Sequence, residues 1–283
     1  MLDLSVIVPV RNAELFIDDC LASIVRSQPR EIIVVDGNST DRTLEIARRY
    51  PVQILANGDR GVAAARMLGV HTATADAVAL IDVDIVLPDG ALGRLFEEFR
   101  EGRYTALQAG LHSEAGPGYW GQALVYHHNN GRSKHWPGLM ATIFRRDALL
   151  ANELDASFAS GEDIELRWRL QRAGAKLGVS RQTIVTHRFD DTFACARGQF
   201  DDDGKGLARM VLKYGWRAGM LLGIPAAGAV RGSLLSLARR QPRWLPYYVT
   251  YAILNYTAVL GTFVDRLKAR TRFGELIVDL ERA

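Results

Sequence analysis

The apolar positions come first in short, unbroken runs separated by helical spacing. "LSVIVPV" (residues 4–10) is β-branched and ends at Arg11-Asn12, the pattern of a strand buried on both faces. Residues 14–26, "ELFIDDCLASIVR", then set Ile17, Leu21 and Ile24 on one helical face. "EIIVVD" (31–36) predicts a second buried strand. "NSTDRTLEIARRY" predicts a helix with Ser39 or Thr40 as N-cap and Leu44 and Ala47 inward. A third strand is expected over 52–55, a helix over 61–73, and a fourth strand over "AVALID" (77–82). Strand and helix alternate about every 25 residues, which predicts an α/β fold with a parallel sheet covered by helices on both faces. Functional groups in such sheets gather at the carboxyl ends of the strands, where Asp36 and Asp82 fall.

Residues 110–140 lose this periodicity and are rich in Gly, His and aromatic residues, which predicts a long irregular functional segment. Its aromatic side chains could stack on a ring-shaped ligand, which singles out Trp120 and Trp136; His127, His128 and His135 lie in the same stretch. Gly138 would let backbone approach a ligand. "MATIFRRDAL" (140–149) resumes a strand, after which Arg145 or Arg146 is expected to approach phosphates. "GEDIELRWRLQRAG" (161–174) predicts a helix with Leu166 and Leu170 inward and Gly174 closing it. "KLGVS" and "TIVTH" predict two final strands of the body, and "DDDGKG" (201–206) a solvated turn.

Two acidic pairs carry the candidate chemistry. Asp82 and Asp84, in "LIDVDIVLPDG", are alternate residues and point oppositely on an extended chain. If the chain turns, one suits ribose hydroxyls and the other a divalent cation that prefers oxygen, Mg²⁺ or Mn²⁺. An Asx-type turn would use the same triplet without any ligand. Glu162-Asp163 opens a helix, where a carboxylate can serve as general base if burial or a neighbouring acid keeps it basic.

Taken in order, "VIVPVRNAE", "VVDGNSTDRT", "RGVAAARMLG", "LIDVDIVLPDGAL" and "GEDIELRWRLQRAG" resemble glycosyltransferase family 2 over residues 3–190. The resemblance implies a GT-A (Rossmann-like) fold and inverting transfer from a nucleotide-sugar donor, a UDP-sugar being favoured. It also implies roles by position. Pro9, Val10 and Arg11 pack around the base, Asp36 hydrogen-bonds base or ribose, and Arg66 lies near base and phosphates. Asp82 takes the ribose, Asp84 the metal with His187 as an additional contact, and Asp163 is the base with Glu162 second. With a sugar substrate implied, Trp120 and Trp136 become acceptor-site candidates, because aromatic faces stack on sugar rings, and Gly138 would let backbone approach the sugar. The chain departs from the family in having Asp36-Gly37-Asn38-Ser39 for Asp-Asp-Gly-Ser and Met67 for a common Asn. No QxxRW motif follows the acidic pair, which disfavours processive polymer extension. A sugar nucleotidyltransferase lacks support, since no Gly- and Arg-rich phosphate loop follows the first strand. A non-catalytic nucleotide-binding scaffold stays open on the altered Asp-Gly-Asn-Ser block.

Charge divides the chain. The net +3 splits into 22 basic and 28 acidic residues over 1–204, and 13 basic and 4 acidic over 205–283. An acidic catalytic domain (1–204) and a basic helical region (205–283) follow. The latter fits an anionic membrane surface better than nucleic acid, because no RNA-binding or zinc motif accompanies it. "WLPYYVTYAILNYTAVLGTFV" (244–264) has no formal charge, but four tyrosines, an Asn and an early Pro argue for helices at the membrane interface rather than a span. Trp216, Trp244 and the tyrosines are the expected anchors. The same helices could instead pack on the body or on a second copy in a homodimer. Cys20 and Cys195 show no metal or redox spacing, and the amino terminus lacks a leader pattern. The expectation is a cytoplasmic protein at the inner face of the cell membrane, acting on a glycan or lipid-linked acceptor.

Overall fold

A computed structural model describes residues 1–131, 137–158 and 160–282. The chain divides into two compact units, Met1–Thr192 and Phe193–Ala283. Gly204, where the charge balance changes, lies inside a helix of the second unit.

The first unit is built on β1 (Leu2–Val10), buried from Leu4 onward. Val6, Val8 and Val10 face one apolar cluster and Ile7 faces another, so the unbroken apolar run is the signature of a strand covered twice. β1 pairs in parallel with β2 (Pro29–Asp36) and β4 (Ala77–Ile81), and β3 (Gln53–Ala56) extends β2. Helix α1 (Ile17–Val25) buries Ile17, Leu21 and Ile24 as the periodicity predicts. Helix α2 spans Thr43–Ala47 and begins later than expected. Neither Ser39 nor Thr40 caps it; their backbone amides go instead to Asp36 and to Asn12 Oδ1, and Asp41 Oδ1 accepts from Thr43. Helix α3 (Val62–Thr72) lies close on the sheet because Gly69 has no side chain: a Cβ there would sit 2.4 Å from Ile7 Cγ2.

Beyond β4 the strand directions are mixed. Helix α4 (Ala91–Glu101) leads into β6 (Ala106–Ala115), and β7 (Ala141–Arg145) runs antiparallel to both β4 and β6. With β8 (Leu177–Phe189) and the short β5 (Ile85–Val86), the strand order among the described residues is β3-β2-β1-β4-β7-β6-β8-β5. The sheet, expected to be mostly parallel, is mixed: β1–β2, β1–β4, β2–β3 and β6–β8 are parallel, and β4–β7, β6–β7 and β5–β8 antiparallel. The segment expected to be irregular contains most of β6 and helix α5 (Tyr119–Asn130). The two strands expected over "KLGVS" and "TIVTH" are one. Pairing jumps from Gln108↔Val179 to Gly110↔Ile184, and Ser180 Oγ accepts the amides of Gln182 and Thr183 in the resulting bulge. Helix α6 (Arg146–Ala151) and helix α7 (Glu162–Arg172) complete the unit, with Leu166 and Leu170 buried.

The second unit consists of α8 (Phe193–Tyr214), a 3₁₀ stretch over Gly215–Gly223, α9 (Ile224–Ala238) and α10 (Leu245–Arg282). "DDDGKG" belongs to α8 and is not a turn. Helices approach through glycines: a Cβ on Gly204 would meet Asn255 O at 2.3 Å, and one on Gly232 the Tyr248 ring at 2.1 Å. Phe200 packs edge-on against Tyr247 and Tyr251. Trp244, Tyr247, Tyr248 and Tyr251 are buried, so these rings fill the helical core and are not surface anchors; Trp216 is 87% exposed.

Candidate functional site

The site forms where β1, β2 and β4 end. Val10 faces Asp36 across β1 and β2, and its carbonyl accepts the Gly37 amide. The Val10 side chain belongs to the core, Pro9 is buried, and exposed Arg11 pairs with Asp59 at 3.1 Å. Asp36 is buried and accepts the Ser39 amide at 3.2 Å. Asn38 has φ 67°, so it occupies the left-handed position that the family fills with glycine. Asn tolerates that conformation, and the altered block keeps its turn.

After β4 the chain turns at once. Asp82 takes a β7-side contact through its amide to Met140 O, and the Ile85 amide reaches Asp82 O at 3.0 Å. The turn releases the two acids from the strict alternation of a strand. Arg66, buried in α3, binds one of them. Its Nη2 bonds Asp82 Oδ1 at 2.6 Å and its Nη1 bonds Glu162 Oε1 at 2.5 Å. Burial opposes the Arg66 charge, but the two carboxylates outweigh it and hold the guanidinium firmly protonated. Burial raises the Asp82 and Glu162 carboxyls above their ordinary values, with Asp84 and Asp163 adding to the push and Arg66 opposing it. Cys20 Sγ lies 3.8 Å from Asp82 O, and burial, then Asp84 and Asp82, push its thiol up.

Asp84 stands away from Arg66. β5 pairs Ile85 with His187 of β8, and the Arg188 amide bonds Asp84 O at 2.9 Å, which together hold Asp84 Oδ2 3.3 Å from His187 Nε2. Asp84 Oδ1 and His187 Nδ1 are buried with no hydrogen-bond partner among the described residues. An oxygen and an imidazole nitrogen, with a polar atom of each unsatisfied, fit a divalent cation such as Mn²⁺ or Mg²⁺. No group of three His, Cys, Asp or Glu that could hold a metal occurs among the described residues, so further ligands would have to come from elsewhere. His128 of α5 lies beside His187, with ring centroids 6.0 Å apart, and burial, then His127 and His187, hold it well below the usual histidine range.

Asp163 is the other acid that makes no ion pair with Arg66, although its charge helps to hold the guanidinium protonated. Its Oδ1 accepts the Ile164 amide, and its Oδ2 faces Gly138, where an added Cβ would lie 3.3 Å away. Gly138 is clamped on both sides: its amide donates to Gln108 Oε1 at 2.5 Å, and its carbonyl accepts Thr142 Oγ1 at 2.9 Å. Gln108 and Thr142 are buried on adjacent strands, β6 and β7. Gly138 was legible as a glycine of interest; Gln108 was not, because its role comes from a cross-strand register no local pattern encodes.

One expectation lands elsewhere. β7 runs antiparallel to β4, so Arg145 faces Ala77 at the amino end of that strand, away from Asp82. Arg145 pairs with Asp147, and Arg146 bonds the carbonyls of Val70 and His71. Neither approaches the site. Trp120, half-buried against Tyr119, sits about 12 Å along α5 from His128. Trp136 and His135 lie outside the described residues.

A mixed sheet flanked by helices, with acids gathered at the strand ends, is the architecture of the GT-A glycosyltransferases. A mannosyltransferase from Pyrobaculum calidifontis, solved with GDP-Man and Mn²⁺, superposes with a TM-score of 0.64 at 18% identity, covering 91% of this chain and 87% of that one. Staphylococcus aureus TarS (1–349) gives 0.51 at 16% identity, covering 94% and 92%. The glycosyl transferase family 2 profile matches residues 5–151, and the chain belongs to that family. It is a glycosyltransferase. The succinoglycan biosynthesis protein ExoA of Rhizobium meliloti is 28% identical over 228 residues, covering 73% of this chain and 69% of ExoA. The Bacillus subtilis glycosyltransferase EpsJ is 28% identical over 118 residues, 39% of this chain and only about a third (34%) of EpsJ.

Proposed function

We propose that the chain is an inverting transferase that moves a sugar from a nucleoside diphosphate sugar to an acceptor hydroxyl, with Asp163 as the base. The observation that carries this reading is the division made by Arg66: it binds one acid of each pair and leaves Asp84 beside His187 and Asp163 Oδ2 beside Gly138. The reaction is a single displacement. The acceptor oxygen bonds to the anomeric carbon, the bond to the diphosphate breaks, and the hydroxyl proton passes to Asp163 Oδ2. Asp36, with Asp82 fixed by Arg66, would hold the base and ribose of the donor. Asp84 and His187 would hold a divalent cation, which neutralises charge on the departing diphosphate. Similar structures solved with GDP-Man and with UDP support a nucleotide-sugar donor without choosing the base. ExoA, named for succinoglycan biosynthesis, supports a glycan acceptor.

Calorimetric titration with UDP, GDP, dTDP and CDP, with and without Mn²⁺, tests the donor site. One nucleotide should bind with metal dependence, and Asp84→Ala should abolish the metal effect. Failure of all four to bind a folded wild-type protein would overturn the reading.

A further inference from the structure

We propose that one face of α10 docks on an anionic lipid bilayer, with the helix lying along the surface. Val249, Ile253, Leu260 and Val264 are exposed by 58, 59, 63 and 44%. At 3.6 residues per turn they fall within an arc of about 60° and form a stripe about 22 Å long. The opposite face is already used: Tyr247, Tyr248, Tyr251, Asn255, Ala258 and Val259 are buried in the helical unit. The helix therefore meets any surface side-on, with one apolar edge to offer and one edge committed.

The neighbouring chain has the same character. Trp216 and Met220 are exposed by 87 and 78%, and on α9 Val230, Leu234 and Leu237 recur at helical spacing with more than half of each exposed. The helical stretch Phe193–Ala238 is long and apolar enough to cross a membrane, and only 17% of its most apolar window is buried. Rows of exposed apolar side chains at helical spacing are a mark of surfaces that bind something.

Charge selects the occupant. From Lys205 to Val264 the sequence has eight basic residues and no acidic one, and residues 205–283 carry a net charge of +9. Arg239, Arg240 and Arg243 precede the stripe, and Arg266 and Lys268 follow it. Two copies meeting through this face would bring two segments of net +9 together, whereas anionic headgroups would be drawn to the basic residues that flank the stripe. Apolar insertion plus basic flanks is the pairing that interfacial helices use.

Flotation of the full chain with phosphatidylcholine vesicles, with and without phosphatidylglycerol, tests the assignment. Wild type should float with the anionic vesicles, remain in solution with the neutral ones, and detach at high salt. Combined Arg239→Gln, Arg240→Gln and Arg243→Gln should weaken binding about a hundredfold, near fivefold per arginine. Combined Val249→Ser, Ile253→Ser and Leu260→Ser should remove binding; these side chains are exposed, so an unchanged melting temperature is expected with it. Equal flotation with neutral vesicles, or flotation undiminished by the serine substitutions, would overturn the proposal. So would light scattering that shows a wild-type dimer turned to monomer by the serines, which would give the stripe to a second copy.

Discussion

The end of β4 and the start of α7 each present two acids, and Arg66 treats the two pairs alike. Asp82 and Glu162 bind its guanidinium in a buried bridge; Asp84 and Asp163 do not. What distinguishes the pairs is the partner left to the unbound acid. Asp84 finds an imidazole, whereas Asp163 Oδ2 finds a glycine held back by two buried side chains. The difference teaches how four carboxylates coexist at one site. One cation is shared by the inner member of each pair, and the outer members keep separate surroundings, His187 beside one and Gly138 beside the other.

The largest effect expected on breaking this arrangement is at the base. Asp163→Asn should lower turnover about 10²- to 10⁴-fold while donor binding by calorimetry stays intact, whereas equal losses in Glu162→Gln and Asp163→Asn would erase the distinction between the acids. Next is Arg66→Met, which strands two buried carboxylates and should cost about 3–5 kcal/mol in denaturant unfolding. A loss under about 1 kcal/mol would mean the bridge behaves as a surface pair. Asp84→Asn should weaken Mn²⁺-dependent nucleotide binding at least tenfold and leave the melting temperature within a few degrees, since Asp84 does not touch Arg66. A smaller change is expected from Gly138→Ala, whose methyl would meet Gln108 Oε1 at 3.2 Å and Asp163 Oδ2 at 3.3 Å. Turnover should fall several-fold with donor affinity unchanged, as measured by steady-state release of nucleoside diphosphate.

The smallest effect is a pH dependence. The folded Glu162 carboxyl is raised above its ordinary value of 4.5 by burial, then by Asp163 and Asp82, against Arg66. Between the unfolded and folded values the native state holds more protons than the unfolded chain, so this group's contribution is present below 4.5 and lost as pH rises through the folded value. Glu162→Gln should remove that slope: the stability of the variant relative to wild type should improve with rising pH across that window, as read by urea unfolding at several pH values.

The second unit shows the same physics with opposite means. The first unit buries charges and pairs them. The second buries tyrosines and an asparagine among glycine contacts and leaves Val249, Ile253 and Leu260 outside. Its tyrosines read as surface anchors from sequence because their amphipathic rings suit either place, and only helix packing chooses between the two.

The sequence alone determined β1, β2, β4, α1 and α7, because strands covered on both faces and helices covered on one impose local periods of composition. It also determined the family and the two acidic pairs, since these lie in short contiguous blocks. It did not determine β6 or α5, whose Gly, His and aromatic content carries no period, nor the continuity of β8 through its bulge. The antiparallel course of β7, which carries Arg145 away from Asp82, was equally hidden. Within each pair, the assignment of one acid to Arg66 was decided by tertiary structure, for Arg66 reaches Asp82 16 residues along the chain and Glu162 96 residues along it. A side chain's neighbours along the chain set its propensity, but its protonation, its partner and its freedom to meet a ligand are set by what folding brings within about 3 Å.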